Sequence, residues 1–213
     1  MILTIRTWHV ERLNYAEFAR ISEEEFWPAF EGFEGRALAV WAIRAGGPER
    51  MLVMTRYESI DHWLGTRAWG PAADKLKTLS EKRDRMILDT DMIALKPVSR
   101  RQPQSDAPES TAGVYIREQF RVEPERIERF RELTEDVWLP RAEQHGGVRL
   151  IGIWRSYIGP QNTVHTLTRA DDIGTWEKCR AQNDGAGKAL QERAGLCEAL
   201  SVQLLYPLTR RRP

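Results

Sequence analysis

Two kinds of apolar pattern alternate along this chain of 213 residues. Short runs rich in β-branched and aromatic residues, such as ILTIRTW at 2–8 and GVYIREQF at 113–120, are typical of strands. After the first run, apolar residues recur at helical spacing at Phe18, Ile21 and Phe26, and the same spacing follows the later run. The pattern therefore predicts a strand followed by an amphipathic helix, twice.

The chain repeats its own pattern over its full length. An apolar strand, a Gly-Pro turn and a second strand occupy residues 38–56 and again residues 150–169. Trp41 and Trp154 hold the same place in the two copies, and both copies end in similar stretches, LKPVSR and LYPLTR. This similarity predicts a tandem duplication.

The two copies are separated by VSRRQPQSDAPESTA, which is polar and rich in proline and serine, as expected of a linker. The predicted organisation is a first half at 1–98, a linker at 99–112 and a second half at 113–213. Each half has the pattern β-α-β-β-α-β, which is the ferredoxin-like order of elements.

Several residues predict where helices start and stop. Pro28 and Pro140 are expected to interrupt the first helix of each half near its end, because proline lacks the amide donor. Ser59 is a predicted N-cap for the second helix of the first half, and Asp171 or Asp172 is the corresponding cap in the second half.

Strands such as LIGIW at 150–154 are apolar throughout instead of alternating, which predicts that both faces of each sheet are covered. Helices cover one face of a ferredoxin-like sheet, and the sheet of the other half can cover the second face. The expected fold is therefore α+β, with two antiparallel sheets packed face to face around a cavity as a pseudo-symmetric barrel. This architecture resembles the dimeric α/β barrels, here with both halves on one chain.

Composition narrows the function classes. The formal net charge is +1, so no global field attracts nucleic acid or a membrane surface. No run of about 18 apolar residues is present, and the first residues lack the pattern of a signal peptide. Cys179 and Cys197 are the only cysteines, which favours a cytoplasmic protein over a disulfide-linked scaffold. The eight tryptophans need a core, an interface or an aromatic pocket.

Several stretches resemble the NIPSNAP family. IRTW at 5–8 is similar to the strand-one signature of that family, and LPRAEQHGGVRLIGIW at 139–154 is similar to its Leu-Pro, His-Gly and Gly-x-Trp sequence. IGPQNTVH at 158–165 is similar to its Gly-Pro-x-Asn-x-Val-His turn. The second half carries most of these features, whereas the first half has Leu52 in place of His165.

This resemblance implies the fold more directly than the activity. The wider superfamily includes cofactor-free monooxygenases, lactone isomerases, polyketide cyclases and haem proteins, and NIPSNAP-like proteins share no single settled activity. The function therefore has to be argued from the site residues.

Three residues are the catalytic candidates. His165 lies in the middle of a predicted strand, where it could act as a general acid or base, or be a histidine satisfied by polar neighbours. Arg6 and Arg117 each follow an isoleucine in the first strand of a half. If that isoleucine faces the helices, the arginine faces the barrel and could stabilise an anionic substrate group. One alternative is that the arginine forms an internal ion pair, with Glu118 as a candidate partner. Another is a different alignment of the two halves, in which Glu118 occupies the position equivalent to that of Arg6.

Aromatic residues and one further histidine are the candidates for substrate binding. Trp8, Trp41 and Trp154 could line a cavity for a planar apolar or phenolic ligand, with plain core packing as the alternative. Tyr157 could hydrogen-bond a ligand at the barrel mouth or lie on the surface. His145 precedes two glycines and could contact the ligand or cap a helix.

The leading hypothesis is a metal-independent and cofactor-free enzyme that acts on a small, partly aromatic organic molecule in the cavity between the sheets. Isomerase, cyclase, lyase and cofactor-free monooxygenase chemistry all fit it. The alternatives are a haem or hydrophobic-ligand carrier, with a histidine as axial ligand, and an interaction protein without a pocket. A homo-oligomer is expected because barrel-edge strands often recruit partners, and no nucleic acid or membrane partner is expected.

Overall fold

Both halves contain the predicted order of strands and helices. The structure is a computed structural model that describes residues 1–31, 35–66, 73–100, 113–144, 146–181 and 185–209. The first half contains β1 (Ile2–Val10), α1 (Tyr15–Arg20), α2 (Trp27–Phe30), β2 (Arg36–Ala45), β3 (Met51–Tyr57), α3 (Ile60–Thr66), α4 (Ala73–Asp84) and β4 (Ile87–Pro97). The second half contains β5 (Val114–Val122), α5 (Ile127–Arg131), α6 (Leu139–Gln144), β6 (Val148–Ile158), β7 (Thr163–Ala170), α7 (Ile173–Ala181), α8 (Gly185–Leu196) and β8 (Cys197–Pro207).

The first helix of each half contains a π-helical segment. α1 continues through Ile21–Phe26 into α2, and α5 continues through Glu132–Trp138 into α6. The expected interruption at Pro28 and Pro140 is not observed, because the chain stays helical through both prolines, each of which follows a π-helical segment. A π turn leaves a carbonyl without its usual i+4 donor, so a proline without an amide donor fits at its end.

Side-chain caps begin the later helices. Ser59 Oγ accepts a hydrogen bond from the backbone N–H of His62 at 3.0 Å, which confirms the predicted cap. In the second half, Asp172 Oδ1 accepts from the N–H of Thr175 at 2.8 Å, so Asp172 is the cap. Asp171 instead pairs with an arginine side chain. Within the described ranges, no helix combines the length and apolar character needed to cross a membrane.

The eight strands described close into one antiparallel barrel in the order β1-β3-β2-β8-β5-β7-β6-β4. The sheets of the two halves face each other and join at two seams, where β2 pairs with β8 and β4 pairs with β6. Because each of these strands is paired on both sides, the barrel has no free edge. The homo-oligomer was expected because free edge strands often recruit partners, and the closed barrel gives no support to that reason.

Both faces of the barrel wall are covered. Leu3 and Ile5 point inward and belong to an apolar core inside the barrel that also contains Leu205. Trp8 and Val10, at the alternate positions of the same strand, pack with the first helix of that half. Two apolar layers on opposite faces of each sheet explain why the strands lack a polar face in the sequence.

Candidate functional site

A cavity of about 380 Å³, here called the barrel cavity, lies inside one end of the barrel. Pro48 and Pro160, from the two Gly-Pro turns, line it at the hairpin end of the strands. The rest of the barrel is filled, and Trp41 and Trp154 are fully buried in that apolar core. The volume is in the range of sites for small organic ligands.

A polar cluster of five side chains lies along one wall of the barrel cavity, of which four line the cavity and the fifth, Ser156, contacts His165. Arg117 Nη2 lies 3.1 Å from His165 Nδ1, and Arg117 Nη1 donates to Gln203 Oε1 at 3.0 Å. Ser156 Oγ lies 3.2 Å from His165 Nε2. With its amide oxygen turned toward Arg117, Gln119 accepts from the two terminal nitrogens at 3.3 and 3.2 Å. Only 6% of Arg117 and 2% of His165 are exposed, so the cluster is held almost entirely away from bulk solvent.

The partners of His165 determine its tautomer. A guanidinium has donors only, so Nδ1 accepts from Arg117 and the ring proton lies on Nε2. Nε2–H then donates to Ser156 Oγ. Burial, and after it the positive charge of Arg117, lowers the pKa of His165 to about 3. The imidazole is therefore neutral at neutral pH.

Arg117 carries the only formal charge of the polar cluster. Burial lowers its pKa to about 10, which leaves the side chain charged at neutral pH. The partners described for it are uncharged, and none of the carboxylates in the described residues lies within ion-pair distance of it. Asp91 lines the same cavity but pairs with Arg50 at 2.9 Å. A buried cation with neutral partners favours the binding of an anion beside it.

The other wall of the cavity comes from the first half and is mainly apolar, formed by Ile5, Ile43 and Ile93, although Thr7 and the Arg50–Asp91 ion pair also line the cavity. The strand registers of the two halves match closely, so each polar residue has an equivalent. Four of the five equivalents are apolar: Ile5 for Arg117, Leu52 for His165, Ile43 for Ser156 and Ile93 for Gln203. The fifth, Thr7 for Gln119, is polar but uncharged. The buried cation and the histidine are therefore present on one side only, so the two halves do not form two copies of one site.

Arg6 lies on the opposite side of the sheet. Ile5 and Thr7 line the barrel cavity, so Arg6 faces the helices, where its guanidinium lies 5.7 Å from the ring of Trp8. The expectation that Arg6 faces the barrel is wrong because the isoleucine before it points inward. The register that matches Arg6 with Glu118 is the one observed.

The aromatic candidates do not form the walls of the barrel cavity. Trp8 lies on the helix side, with its ring 4.9 Å from that of Phe18. Tyr157 is 46% exposed, and the ammonium of Lys96 lies 3.7 Å from its ring. Trp41 and Trp154 pack in the core, which was the alternative given for them. His145 lies outside the described residues.

Sequence reasoning missed Gln119, Ser156 and Gln203. Each lies at an inward position of its strand, Gln119 beside Arg117, Ser156 after Trp154 and Gln203 before Leu205. Their inward direction becomes clear only when the inward face of each strand is known, and in β5 both faces are buried.

The comparisons with known proteins agree with this architecture. Residues 116–208 match the family model described as NIPSNAP. No curated protein sequence is significantly similar to the chain. A provisionally assigned monooxygenase from Lactobacillus acidophilus NCFM is 14% identical, covers 98% of this chain and 94% of its own, and has a TM-score of 0.70.

Two further solved structures have the same fold. An anthrone oxidase-like protein is 13% identical, with coverage of 97% of this chain and 90% of its own and a TM-score of 0.60. A variant of chlorite dismutase from Candidatus Nitrospira defluvii is 10% identical, with coverage of 97% and 91% and a TM-score of 0.57. At these identities the similarity establishes the fold, and the differing names leave the activity to the site residues. The chain thus has the dimeric α/β barrel fold with both halves in one polypeptide, and residues 116–208 of its second half match the NIPSNAP family model.

Proposed function

We propose that the protein is an enzyme that acts on a small, mainly apolar organic molecule in the barrel cavity, through an enolate or phenolate held by Arg117. The observation that carries this proposal is the buried charge of Arg117, which has only neutral partners among the described residues and lines an open cavity. The apolar wall formed by Ile5, Ile43 and Ile93 suits the hydrocarbon part of such a molecule.

In this proposal Arg117, His165 and Ser156 have separate roles. A substrate oxygen that approaches Arg117 competes for the donor that now faces His165 Nδ1. Once that donor turns to the oxygen, the Nδ1 lone pair is available to accept a proton from the substrate. Burial and the charge of Arg117 hold the pKa of His165 low. The negative oxygen of the substrate offsets the charge of Arg117 and so opposes one of these two effects. Ser156 keeps the ring oriented through Nε2.

In this step the substrate C–H or O–H bond breaks, the proton goes to Nδ1, and the electron pair stays on the substrate as an oxyanion stabilised by Arg117. Return of the proton to a different atom is an isomerisation. Expulsion of a neighbouring leaving group is an elimination. Reaction of the electron-rich substrate with molecular oxygen is an oxygenation. All three reactions share the first proton transfer, so this transfer is the step to test.

A haem carrier is the main alternative, and the residues of the barrel do not fit it. An axial histidine needs a ring nitrogen free to bind iron. Both nitrogens of His165 are hydrogen-bonded, one to Arg117 and the other to Ser156. An interaction protein with a filled barrel is also less well supported, because the barrel contains a cavity of about 380 Å³.

Hydrogen–deuterium exchange on a carbon acid tests the proposed step. The full-length protein is incubated in D2O with 2-tetralone, an enolisable aromatic ketone, and exchange next to the carbonyl is followed by NMR. Two variants place the residues of the first half at the equivalent positions, Arg117→Ile and His165→Leu. We expect the wild type to accelerate exchange and either variant to lower the acceleration at least tenfold. Arg121→Gln, at an exposed position of the same strand, is the matched control and keeps the wild-type rate.

The outcomes separate the candidate functions. Exchange that is unaffected by both cavity variants would show that the polar cluster is not the catalytic site. Binding measured by calorimetry without any exchange would indicate a carrier. If exchange occurs, oxygen uptake in air with anthrone as the probe separates an oxygenase from an isomerase or lyase.

A further inference from the structure

A second cavity of about 300 Å³ lies outside the barrel, between the sheet of the first half and its helices. We call it the helix-side cavity. Phe26 and Phe30 line it from the π-helical segment and α2, and Arg83 lines it from α4. Arg6 and Trp8 of β1 form its floor. The barrel cavity lies on the other face of the same strand.

Arg83 is a buried cation without an ion-pair partner in the described part of the chain. Only 5% of the residue is exposed, and its Nε makes no hydrogen bond. Its guanidinium lies 4.0 Å from the ring centre of Phe26 and 5.0 Å from that of Trp8. Asp84 also lines the cavity and its charge partly opposes the lowering of the pKa of Arg83, but its side chain is exposed and forms no ion pair with Arg83 in the described residues. An uncompensated buried charge is unfavourable, so such a site favours an anion from solution.

The second half contains the same arrangement with the anion built in. Arg193 lies over Phe120 and Phe130, at 5.0 and 5.3 Å from the ring centres, as Arg83 lies over Trp8 and Phe18. The buried carboxylate of Glu118 is 3.9 Å from Arg193. Glu118 also pairs with Arg180 at 2.8 Å, so one buried carboxylate is shared between the buried Arg193 and the half-exposed Arg180.

Strand pairing identifies the residue that replaces this carboxylate in the first half. Glu118 lies opposite Thr166 and Val202 in its two ladders. The equivalent position in the first half lies opposite Val53 and Met92, and it is occupied by Arg6. The first half therefore has a second cation where the second half has the carboxylate.

The positive charge of Arg6 also acts on Arg83. Burial, and after it the positive charge of Arg6, lowers the pKa of Arg83 to about 9, which still leaves Arg83 charged at neutral pH. Two cations thus line one small cavity, and Arg83 is the one with no ion-pair partner among the described residues.

We propose that the helix-side cavity binds a small carboxylate with a flat apolar tail, and that its carboxylate group takes the place that Glu118 occupies in the second half. Arg83 supplies the charge, and the hydroxyls of Thr4 and Thr55 line the same cavity as further donors. The tail packs on Phe26 and Phe30, whose rings are stacked at 5.8 Å. This site is independent of the proposed reaction, because its residues face the helices and not the barrel.

Calorimetric titration of the full-length protein with benzoate tests the proposal. Benzamide, which has the same shape without the charge, is the matched ligand control. We expect benzoate to bind and benzamide to bind at least tenfold more weakly. Arg83→Met, which keeps the side-chain length without the charge, is expected to lose benzoate binding. Arg6→Glu introduces the carboxylate found in the second half, so it is expected to abolish benzoate binding and raise the melting temperature.

Further variants distinguish this site from the barrel cavity. Arg117→Ile removes the cation of the barrel cavity and is expected to leave in place the benzoate site that depends on Arg83. Binding that is lost in Arg117→Ile but retained in Arg83→Met would place the anion in the barrel and overturn the proposal. Equal affinity of the wild type and Arg6→Glu would also overturn it. Because Arg6→Glu supplies an internal partner for Arg83, it tests the site even if Arg83→Met does not fold.

Discussion

Replacing His165 removes a group whose protonation opposes folding at acidic pH. The ordinary pKa of a histidine is 6.5, and in the folded protein burial and Arg117 lower it to about 3. Between these values the unfolded chain binds more protons than the folded one, so the free energy of unfolding rises with pH. The stability associated with neutral His165 is therefore complete above pH 6.5 and is lost as the pH falls toward 3. Over the whole interval the loss is at most about 5 kcal/mol.

Urea unfolding at about pH 7 and about pH 4.5 measures this loss, because a fall of about two pH units below the ordinary pKa corresponds to about 3 kcal/mol. His165→Gln keeps a polar side chain without titration, and His165→Leu reproduces the residue at the equivalent position of the first half, Leu52. We expect the wild type to lose about 3 kcal/mol more than either variant between the two pH values. His9→Gln, at an exposed strand position, is the control and follows the wild type. Parallel pH profiles for wild type and His165→Gln would refute the argument that His165 is buried and neutral.

Three further predictions concern a buried ion pair, a helix cap and the barrel core. Glu118→Gln leaves Arg193 without its carboxylate and is expected to lower the free energy of unfolding by about 3–5 kcal/mol; a loss under about 1 kcal/mol would contradict a buried ion pair. Asp172→Ala removes the cap of α7 and should cost about 1 kcal/mol in the same assay, whereas Asp171→Ala should cost clearly less. Trp154→Ala empties part of the barrel core and is expected to cost about 3–5 kcal/mol, and thermal unfolding unchanged from wild type would show that the barrel is not filled there.

The order of strands and helices was predictable because its signals are local. The Gly-Pro turns, the apolar runs and the caps at Ser59 and Asp172 each depend on neighbouring residues, and the repeat let the two halves support each other. The closure of the barrel was expected only in outline. The pairing of β2 with β8 and of β4 with β6 joins segments that are distant in sequence, and no local pattern specifies such seams.

The inward face of β1 could not be predicted from the sequence. For this reason Arg6 was assigned from the sequence to the barrel cavity, where it does not lie. Ile2 and Thr4 are buried on the helix side, and Leu3 and Ile5 are buried in the barrel, so no polar face marks which residues point inward. A shift of one residue then exchanges the two faces. The assumption that the isoleucine before the arginine faces the helices holds for Arg117, which lies inside the barrel, and fails for Arg6, which lies in the helix-side cavity.

The two seams of the barrel also determine how the barrel cavity responds to dilution. Its apolar wall and its polar wall come from different halves, and in a barrel assembled from two separate chains such a site would be lost as the subunits dissociate. Here both walls are covalently linked, so formation of the cavity is a unimolecular folding event that does not depend on protein concentration. Covalent linkage also means that a substitution changes one wall and not both. Arginine could therefore occupy position 117 while isoleucine remained at position 5, a combination that an assembly of identical chains cannot restrict to one side.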